Sequence, residues 1–308
     1  MTYAPIALFT YNRADHTRQA VESLLRNAEA KDTDLFIFSD GPKNEKAAEG
    51  VKANREFIRT ITGFKSITII EREKNWGLSK NLIEGITKIN NEFGRVIVVE
   101  DDLVVSPFFL RYMNDGLERY EHDERVASIS AFLNPVDGDI PNTFFLRYFA
   151  CWGWATWKRA WDLLNTDSRD LLKKLRWKKN DFNIGGTGPF YGILYCDKVG
   201  LNDSWAVRFY ASCFLAGKLH LFPNQTMAIQ TGMDGSGTHS KAGERNPYQN
   251  MTISNTPVNL GDIRVEENKK MYEAFSLFYG NGVNGYSLKN LYSRFKSFVR
   301  RLIGLDYK

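Results

Sequence analysis

An α/β fold, with a mostly parallel central sheet flanked by helices and a less regular extension after it, is what this 308-residue sequence predicts. Two observations carry that expectation. Short apolar runs rich in Val, Ile and Phe alternate with longer segments of helical period, which is the pattern of parallel strands covered on both faces. Most of these runs end at polar or acidic residues, where the carboxyl ends of strands converge on a ligand cleft.

The elements follow in order. "IALFTYN", from Ile6 to Asn12, reads as a first strand, and "HTRQAVESLLRNAEA" as a helix with Ala20, Leu24 and Ala28 near one face. "LFIFSDGP" is a second strand, closed by an Asp-Gly-Pro turn that a central helix would not accommodate. "KNEKAAEGVKANREFIRTI" is helical, "SITIIERE" is a third strand, "GLSKNLIEGITKINNEF" is a further helix and "RVIVVEDD" a fourth strand. After Pro107 the sequence predicts a helix through "FFLRYMNDGLERYEHD" and a strand through "VASISAF". "RYFACWGWATWKRAWDLL" is crowded with aromatics and leads into a helix, and "RDLLKKLRWKKNDFN" carries a local basic cluster. A functional boundary is expected near Pro135, with no long linker to mark it.

Composition narrows the classes. Hydrophobic residues at 43% and charged residues at 25% are ordinary for a soluble globular protein, and the 14% aromatic content suits a cleft that stacks rings on bases and sugars. No apolar run reaches bilayer length, and "MTYAPIALFTYNRADHTR" lacks the pattern of a secretory leader, so a cytoplasmic location is expected. Cys151, Cys196 and Cys213 are an odd set with no CxxC spacing, which favours free thiols. A net charge of +5 suits an anionic ligand or a membrane surface without selecting either. There is no zinc-finger spacing, RNA-binding motif or long basic stripe, so nucleic acid is not an expected partner. The segment "TYNRAD" after the first strand carries no GxGxxG, which argues against a dinucleotide fingerprint.

The fourth strand ends in Glu100, Asp101 and Asp102 and then returns at once to apolar residues. Like charges at the end of an apolar strand repel and lose hydration, and a divalent cation is one offset. Hard ions such as Mn²⁺ or Mg²⁺ take carboxylate and diphosphate oxygens. Strand alternation puts Glu100 and Asp102 on one face and turns Asp101 toward neighbouring loops. Asp102 is then the leading ligand, and Glu100 the holder of a sugar hydroxyl or a water on the metal. A solvated turn or salt-bridge cluster is the plain alternative. "TGMDGSGTHSK" brings His239 on a glycine-rich loop toward a phosphate or metal, and Arg208 and Lys241 are candidates to neutralise phosphate.

In "VGLNDSWAVRFYASCFLAGK", Asn202, Asp203 or Ser204 can cap the following helix, and Asp203 can instead serve as a general base. Trp152, Trp154, Trp157 and Trp161 span more than one helical face, so most belong to the core while Trp152 or Trp154 covers a cleft; Gly153 permits a tight turn.

Taken in sequence, "ALFTYNR", "SDG", "NWGLSKN", "VVEDDLVVSP", "CWGWATWKRAW", "NDSW" and "GSGTHS" make residues 3–240 resemble the GT-A glycosyltransferases. The likeness is to the inverting type that includes the N-acetylglucosaminyltransferase I family and bacterial family 2 transferases. The resemblance implies a nucleoside diphosphate sugar donor, a glycan or lipid-linked acceptor, and Mn²⁺ or Mg²⁺. It also implies roles in polysaccharide biosynthesis at a bacterial cell envelope. Thr10, Asn12 and Arg13 would lie near the nucleotide, Asp40 near the base, and Asn75, Gly77 and Lys80 along the ribose or phosphate. Glu100 and Asp101 would orient the donor, Asp102 would bind metal with His239 nearby, and Trp152 and Gly153 would border the sugar. Asp203 matches the acceptor-activating Asp, although "NDSW" lacks a second acidic residue. Residues 1–270 would form one catalytic unit, with 1–134 serving the donor and 135–270 the acceptor.

Two other readings compete: a non-catalytic sugar-nucleotide or polysaccharide-binding module, and a sugar-1-phosphate nucleotidyltransferase, whose Gly-rich Arg-Lys signature the start of the chain lacks. Residues 271–308 are expected to be a helical basic tail. Its Leu291, Phe295, Phe298, Leu302 and Leu305 recur at helical spacing among Lys and Arg, which suits peripheral contact with the inner membrane face.

Overall fold

Alternating side chains give the first strand two buried faces: Ala7 and Phe9 of β1 (Ile6–Thr10) enter one apolar layer and Ile6 and Leu8 the other. The structure, a computed structural model, describes residues 3–232, 247–248 and 251–281. His239, Lys241 and residues 282–308 of the tail lie outside the described residues.

The remaining strands are β2 (Asp34–Ser39), β3 (Ser66–Glu71), β4 (Arg95–Glu100), β5 (Leu103–Val105), β6 (Val126–Ser130), β7 (Thr143–Leu146), β8 (Trp154–Trp157), β9 (Leu219–Pro223) and β10 (Ala228–Gln230). The helices are α1 (Ala14–Leu25), α2 (Glu45–Ile58), α3 (Leu78–Phe93), α4 (Phe109–Arg119), α5 (Lys158–Trp161), α6 (Ser168–Leu175), α7 (Lys179–Phe182), α8 (Phe190–Lys198), α9 (Trp205–Leu215) and α10 (Lys269–Gly280).

Eight strands form one sheet in the order β3-β2-β1-β4-β8-β6-β9-β7, and β10 pairs with β5 in a second, two-stranded sheet. Pairing is parallel from β3 through β4 and between β6 and β9, while β8 and β7 run antiparallel to their neighbours. The β2, β3 and β4 registers all derive from the same alternation, with Phe9 opposite Phe38 on one side and Glu100 on the other. Phe9 and Phe38 stack at 5.0 Å.

Buried residues of α1, α2 and α4 join the apolar layer on one face of the sheet. Those of α3 and α5 through α10 join the layer on the other. In α3, Leu82, Ile86 and Ile89 are fully buried at helical spacing. Each such side chain contributes roughly 1.5–3 kcal/mol by leaving water.

β8 is where the sequence reading and the structure part. The stretch around "WGWATWKRAW" suggests helix, yet Trp154–Trp157 is a strand inserted between β4 and β6, joining residues before and after 134 into one sheet. Indole rings on both faces mask the period-2 pattern that would identify it: Trp154 is in one apolar layer and Trp157 in the other. Among the described residues no helix is long and apolar enough to cross a membrane.

Candidate active site at the sheet rim

Sheet order reverses direction at β1, whose neighbours are β2 and β4. A crevice opens beyond the carboxyl ends of strands at such a point. Two chain segments meet there, Tyr11–Arg13 after β1 and Glu100–Asp102 at the end of β4. Asp101 extends the ladder by donating its N–H to Phe9 O at 3.0 Å. Its carboxylate accepts from the Tyr11 N–H at 3.1 Å and from Arg13 Nη2 at 2.7 Å. The same Arg13 nitrogen reaches Asp102 Oδ2 at 2.8 Å.

Alternation therefore stops at Glu100: the chain turns, and Asp101 and Asp102 share one guanidinium instead of facing apart. The β5–β10 pair fixes the next step by bringing Thr231 against the turn, where its N–H donates to Asp102 O at 2.8 Å. Gly232 follows so closely that a Cβ there would stand 2.5 Å from Asp102 Oδ2.

One arginine faces three carboxylates. Burial, followed by repulsion from Asp102 and Asp101, pushes Glu100 up to about 8, and Arg13 only partly opposes this. Burial also raises Asp101. Burial alone would lower Arg13, but Asp101 and Asp102 carry it above its ordinary value. Neither Glu100 nor Asp102 Oδ1 has a hydrogen bond to a described residue. Arg13 Nη1 is also buried without a partner among the described residues. Hard oxygen donors crowded beyond their available counter-charge are the ligand chemistry Mg²⁺ or Mn²⁺ takes, but among the described residues no three His, Cys, Asp or Glu side chains converge as a metal site.

Asp40, at the end of β2, organises the neighbouring loop. Its carboxylate accepts from the N–H groups of Gly41, Trp76 and Gly77 at 2.9, 2.8 and 2.9 Å and from Asn75 Nδ2 at 3.0 Å. Four donors occupy its lone pairs, so in this arrangement the carboxylate clasps the 75–77 loop. Gly77 has φ 76°, a left-handed conformation that favours glycine, and it leads directly into α3. Lys80 lies over the Trp76 ring at 4.5 Å and Arg72 over it at 3.8 Å, a stacked wall beside the loop. Thr10 is buried and accepts from Asn54 Nδ2 at 3.1 Å. Asn12 lies where α2 approaches closely, since a Cβ on Gly50 would fall 2.7 Å from Asn12 O.

Asp203 precedes α9 but does not cap it. Ser204 does, its Oγ accepting from the Val207 N–H at 3.4 Å. Asp203 instead keeps its side chain 66% exposed and accepts from Arg208 Nη2 at 2.7 Å through Oδ1. That nitrogen also donates to Ser79 Oγ at 2.6 Å, at the start of α3. Arg208 Nη1 grips both oxygens of Asp197 on α8, at 3.1 and 3.0 Å. Asp197 in turn accepts from the Ser204 N–H at 2.6 Å and from Ser168 Oγ. Arg208 is thus a buried tie between the two helix starts, with its Nε buried without a partner among the described residues.

Trp152 is half-buried, edge-on to Phe132 at 4.4 Å and to Tyr248 at 5.1 Å. Gly153, at φ 68°, turns the chain into β8. Trp154, Trp157 and Trp161 are buried, as expected for core residues, and Trp154 stacks on Trp205 at 5.5 Å. Cys151, Cys196 and Cys213 are free thiols; burial, then Glu100 nearby, raises Cys151. Sequence reasoning missed Ser79 and Asp197. A carboxylate on α8 eleven residues before Arg208 has no local signature, because only the packing of α8 on α9 brings them together.

The family model described as Glycosyl transferase family 2 matches residues 6–187. Alpha-1,3-mannosyl-glycoprotein 2-beta-N-acetylglucosaminyltransferase of Arabidopsis thaliana is 21% identical over 182 residues, which cover 54% of this chain and 40% of that protein. The chain therefore spans less than half the length of this curated relative. Among solved structures, S. aureus TarS is 12% identical at a TM-score of 0.31, covering 44% of this chain and 23% of the other. UDP-glucose pyrophosphorylase complexed with UDP-glucose is 8% identical at a TM-score of 0.36, covering 71% and 90%.

Proposed function

The chain belongs to glycosyl transferase family 2, and on that premise we propose that it moves a sugar from a nucleoside diphosphate donor to a hydroxyl of a glycan or lipid-linked acceptor, with inversion at the anomeric carbon. The observation that carries the reading is the end of β4. Glu100, Asp101 and Asp102 crowd at the point where sheet order reverses, and Glu100 is pushed up to about 8. Such a charge-frustrated rim suits a ligand that arrives with positive charge.

Asp102, beside Glu100, would hold Mg²⁺ or Mn²⁺, with His239 a further candidate. When bound, the ion supplies charge stabilisation to the departing diphosphate. Arg13 keeps Asp101 and Asp102 together at the floor, and Asp101 orders the Tyr11 backbone beneath the donor. The loop clasped by Asp40, with Asn75, Gly77 and Lys80, borders the nucleotide, together with Thr10 and Asn12. Trp152 and Gly153 border the sugar.

Asp203 acts as the base. Arg208 holds Oδ1, so Oδ2 remains open to take the acceptor hydroxyl proton. The acceptor oxygen forms its bond to the anomeric carbon from the face opposite the diphosphate, the anomeric C–O bond breaks, and the electron pair leaves with the nucleoside diphosphate. No second carboxylic acid is required to protonate a phosphate leaving group. In this reading residues 1–134 serve the donor and 135–270 the acceptor.

A panel of UDP, GDP and dTDP sugars with several hydroxyl acceptors, assayed with Mn²⁺ and with chelator, tests the proposal. The expected result is transfer that needs the ion, a product of inverted configuration by NMR, and loss of transfer in Asp203→Asn with nucleotide binding kept. Transfer undiminished in Asp203→Asn, or a retained configuration, overturns the mechanism.

A further inference from the structure

Trp177 leaves 85% of its surface in solvent, the most of any large hydrophobic side chain among the described residues. A tryptophan so exposed forgoes the burial that normally fixes an indole in a fold. It sits in "KKLRWKK", where Lys173, Lys174, Lys178 and Lys179 join Arg176 with no acidic residue in the seven. Lys174 has an ion pair to Asp170 at 2.6 Å.

The strip continues across α7 onto α8 through a series of cation–aromatic pairs. Arg176 lies over Trp177 at 4.9 Å, Lys179 over Tyr191 at 5.2 Å and Lys198 over Tyr195 at 5.4 Å. Tyr191 and Tyr195 are four residues apart on α8 and so share a side of the helix, and Tyr195 is 48% exposed. Asp197, two residues beyond Tyr195, points the other way, to Arg208 and the start of α9.

Rings with apolar bodies and polar tips, interleaved with long basic side chains, match the boundary between lipid headgroups and acyl chains. A merely solvated face gains nothing from an exposed indole. We infer that the aromatic and basic strip from Arg176 through Lys198 is an interfacial surface that rests on an anionic lipid bilayer, with the lysines on the headgroups and Trp177 in the boundary layer. Arg176, Lys178, Lys179 and Lys198 outweigh the exposed Asp181 of α7, so the strip is net positive and complementary to an anionic bilayer rather than a neutral one. The strip lies on the side of α8 opposite the carboxylate that orders Arg208, so the helix stands between the lipid surface and Asp203. Its use in presenting a lipid-linked acceptor rests on the proposed transfer reaction; the lipid contact itself does not.

The test uses the full chain, without donor or acceptor, and vesicles of phosphatidylcholine alone or mixed with phosphatidylglycerol. The wild type is expected to co-sediment with the anionic vesicles and not the neutral ones. Lys178→Glu with Lys179→Glu should lower that partition by more than about fivefold, the weight of a single basic residue at such a surface. Brominated acyl chains should quench wild-type emission more than that of Trp177→Phe. No vesicle binding, equal binding to neutral vesicles, partition unaffected by the charge reversal, quenching unaltered in Trp177→Phe, or capture by soluble polyphosphate in place of vesicles would each overturn the inference. Transfer to a soluble acceptor, measured separately, shows whether the proposed reaction stands whatever the vesicles do.

Discussion

Arg208 Nη2 donates to Asp203 Oδ1 at 2.7 Å and to Ser79 Oγ at 2.6 Å, so one nitrogen ties the start of α9 to the start of α3. The first helix start carries the candidate base and the second follows the loop clasped by Asp40. Removing the hydroxyl in Ser79→Ala leaves Arg208 with Asp197 and Asp203 but frees its link to the donor side. The expected outcome is a kcat about tenfold lower, a loss of ~1.4 kcal/mol in the transition state, together with a stability loss of about 1–3 kcal/mol because Ser79 and Arg208 are both buried. Steady-state kinetics with thermal denaturation checks it. A lower melting temperature with wild-type kcat in the folded variant would mean that the tie only holds the fold.

Asp203→Asn removes the proton acceptor while keeping the size of the side chain and a contact for Arg208. Because general-base catalysis contributes typically 10²–10⁴-fold, kcat should fall by about that factor. Donor affinity, read by calorimetry, should stay within about twofold, since the side chain is 66% exposed and an amide oxygen in its place still accepts from Arg208.

Asp102→Asn tests the other end of the cleft. One oxygen of Asp102 is held by Arg13 and the other has no described partner. The substitution keeps an acceptor for Arg13 but removes the Asp102 charge available to a cation. Donor binding in the presence of Mn²⁺ should weaken by about 10–100-fold, while binding without the ion changes little. Titration of the nucleoside diphosphate with and without chelator reads the difference.

Much of this rim is legible in the sequence, and particular residues show why the rest is not. β1 through β4 are readable because both faces of each strand are buried, so β-branched and aromatic residues run nearly without a break to a polar end. Asp203 is readable as a candidate because a carboxylate before an apolar helix has two recognisable uses, cap and base. The sequence does not say which: Ser204 takes the cap, one residue on, while Asp197 accepts from its N–H. Asp40 is readable as a strand-end carboxylate, but its four donors come from residues up to 37 positions away, and no local pattern encodes them.

Asp40→Ala should therefore act on the loop. The part-buried Trp76 and Gly77 N–H groups lose their acceptor, at a cost toward the lower end of the about 1–3 kcal/mol of a fully buried unpaired donor. The donor KM should rise by roughly tenfold or more as the 75–77 loop loses its shape, with kcat for saturating donor much less affected. Amide exchange of Trp76 and Gly77 provides a readout independent of turnover, and protection as in the wild type would show that Asp40 does not hold the loop.

His220 predicts the acid limit of the fold. Buried on β9, its Nδ1 shares a hydrogen bond with Ser128 Oγ at 2.7 Å and its Nε2 has no partner among the described residues, and burial pushes it down to about 3. The unfolded chain takes up the imidazole proton near pH 6.5, whereas the folded one resists it until far lower pH. Between those values the unfolded state binds more protons, so the His220 contribution is fully present above about pH 6.5 and is lost as pH falls toward 3. At pH 5 the loss amounts to about 2 kcal/mol, at ~1.4 kcal/mol per unit. His220→Gln cannot titrate, so it should be less stable than the wild type at pH 8 through poorer packing, with the gap narrowing by about 2 kcal/mol at pH 5. Urea unfolding at pH 8, 6.5 and 5 measures the gap directly, and one that stays constant would mean that His220 accepts its proton inside the folded sheet.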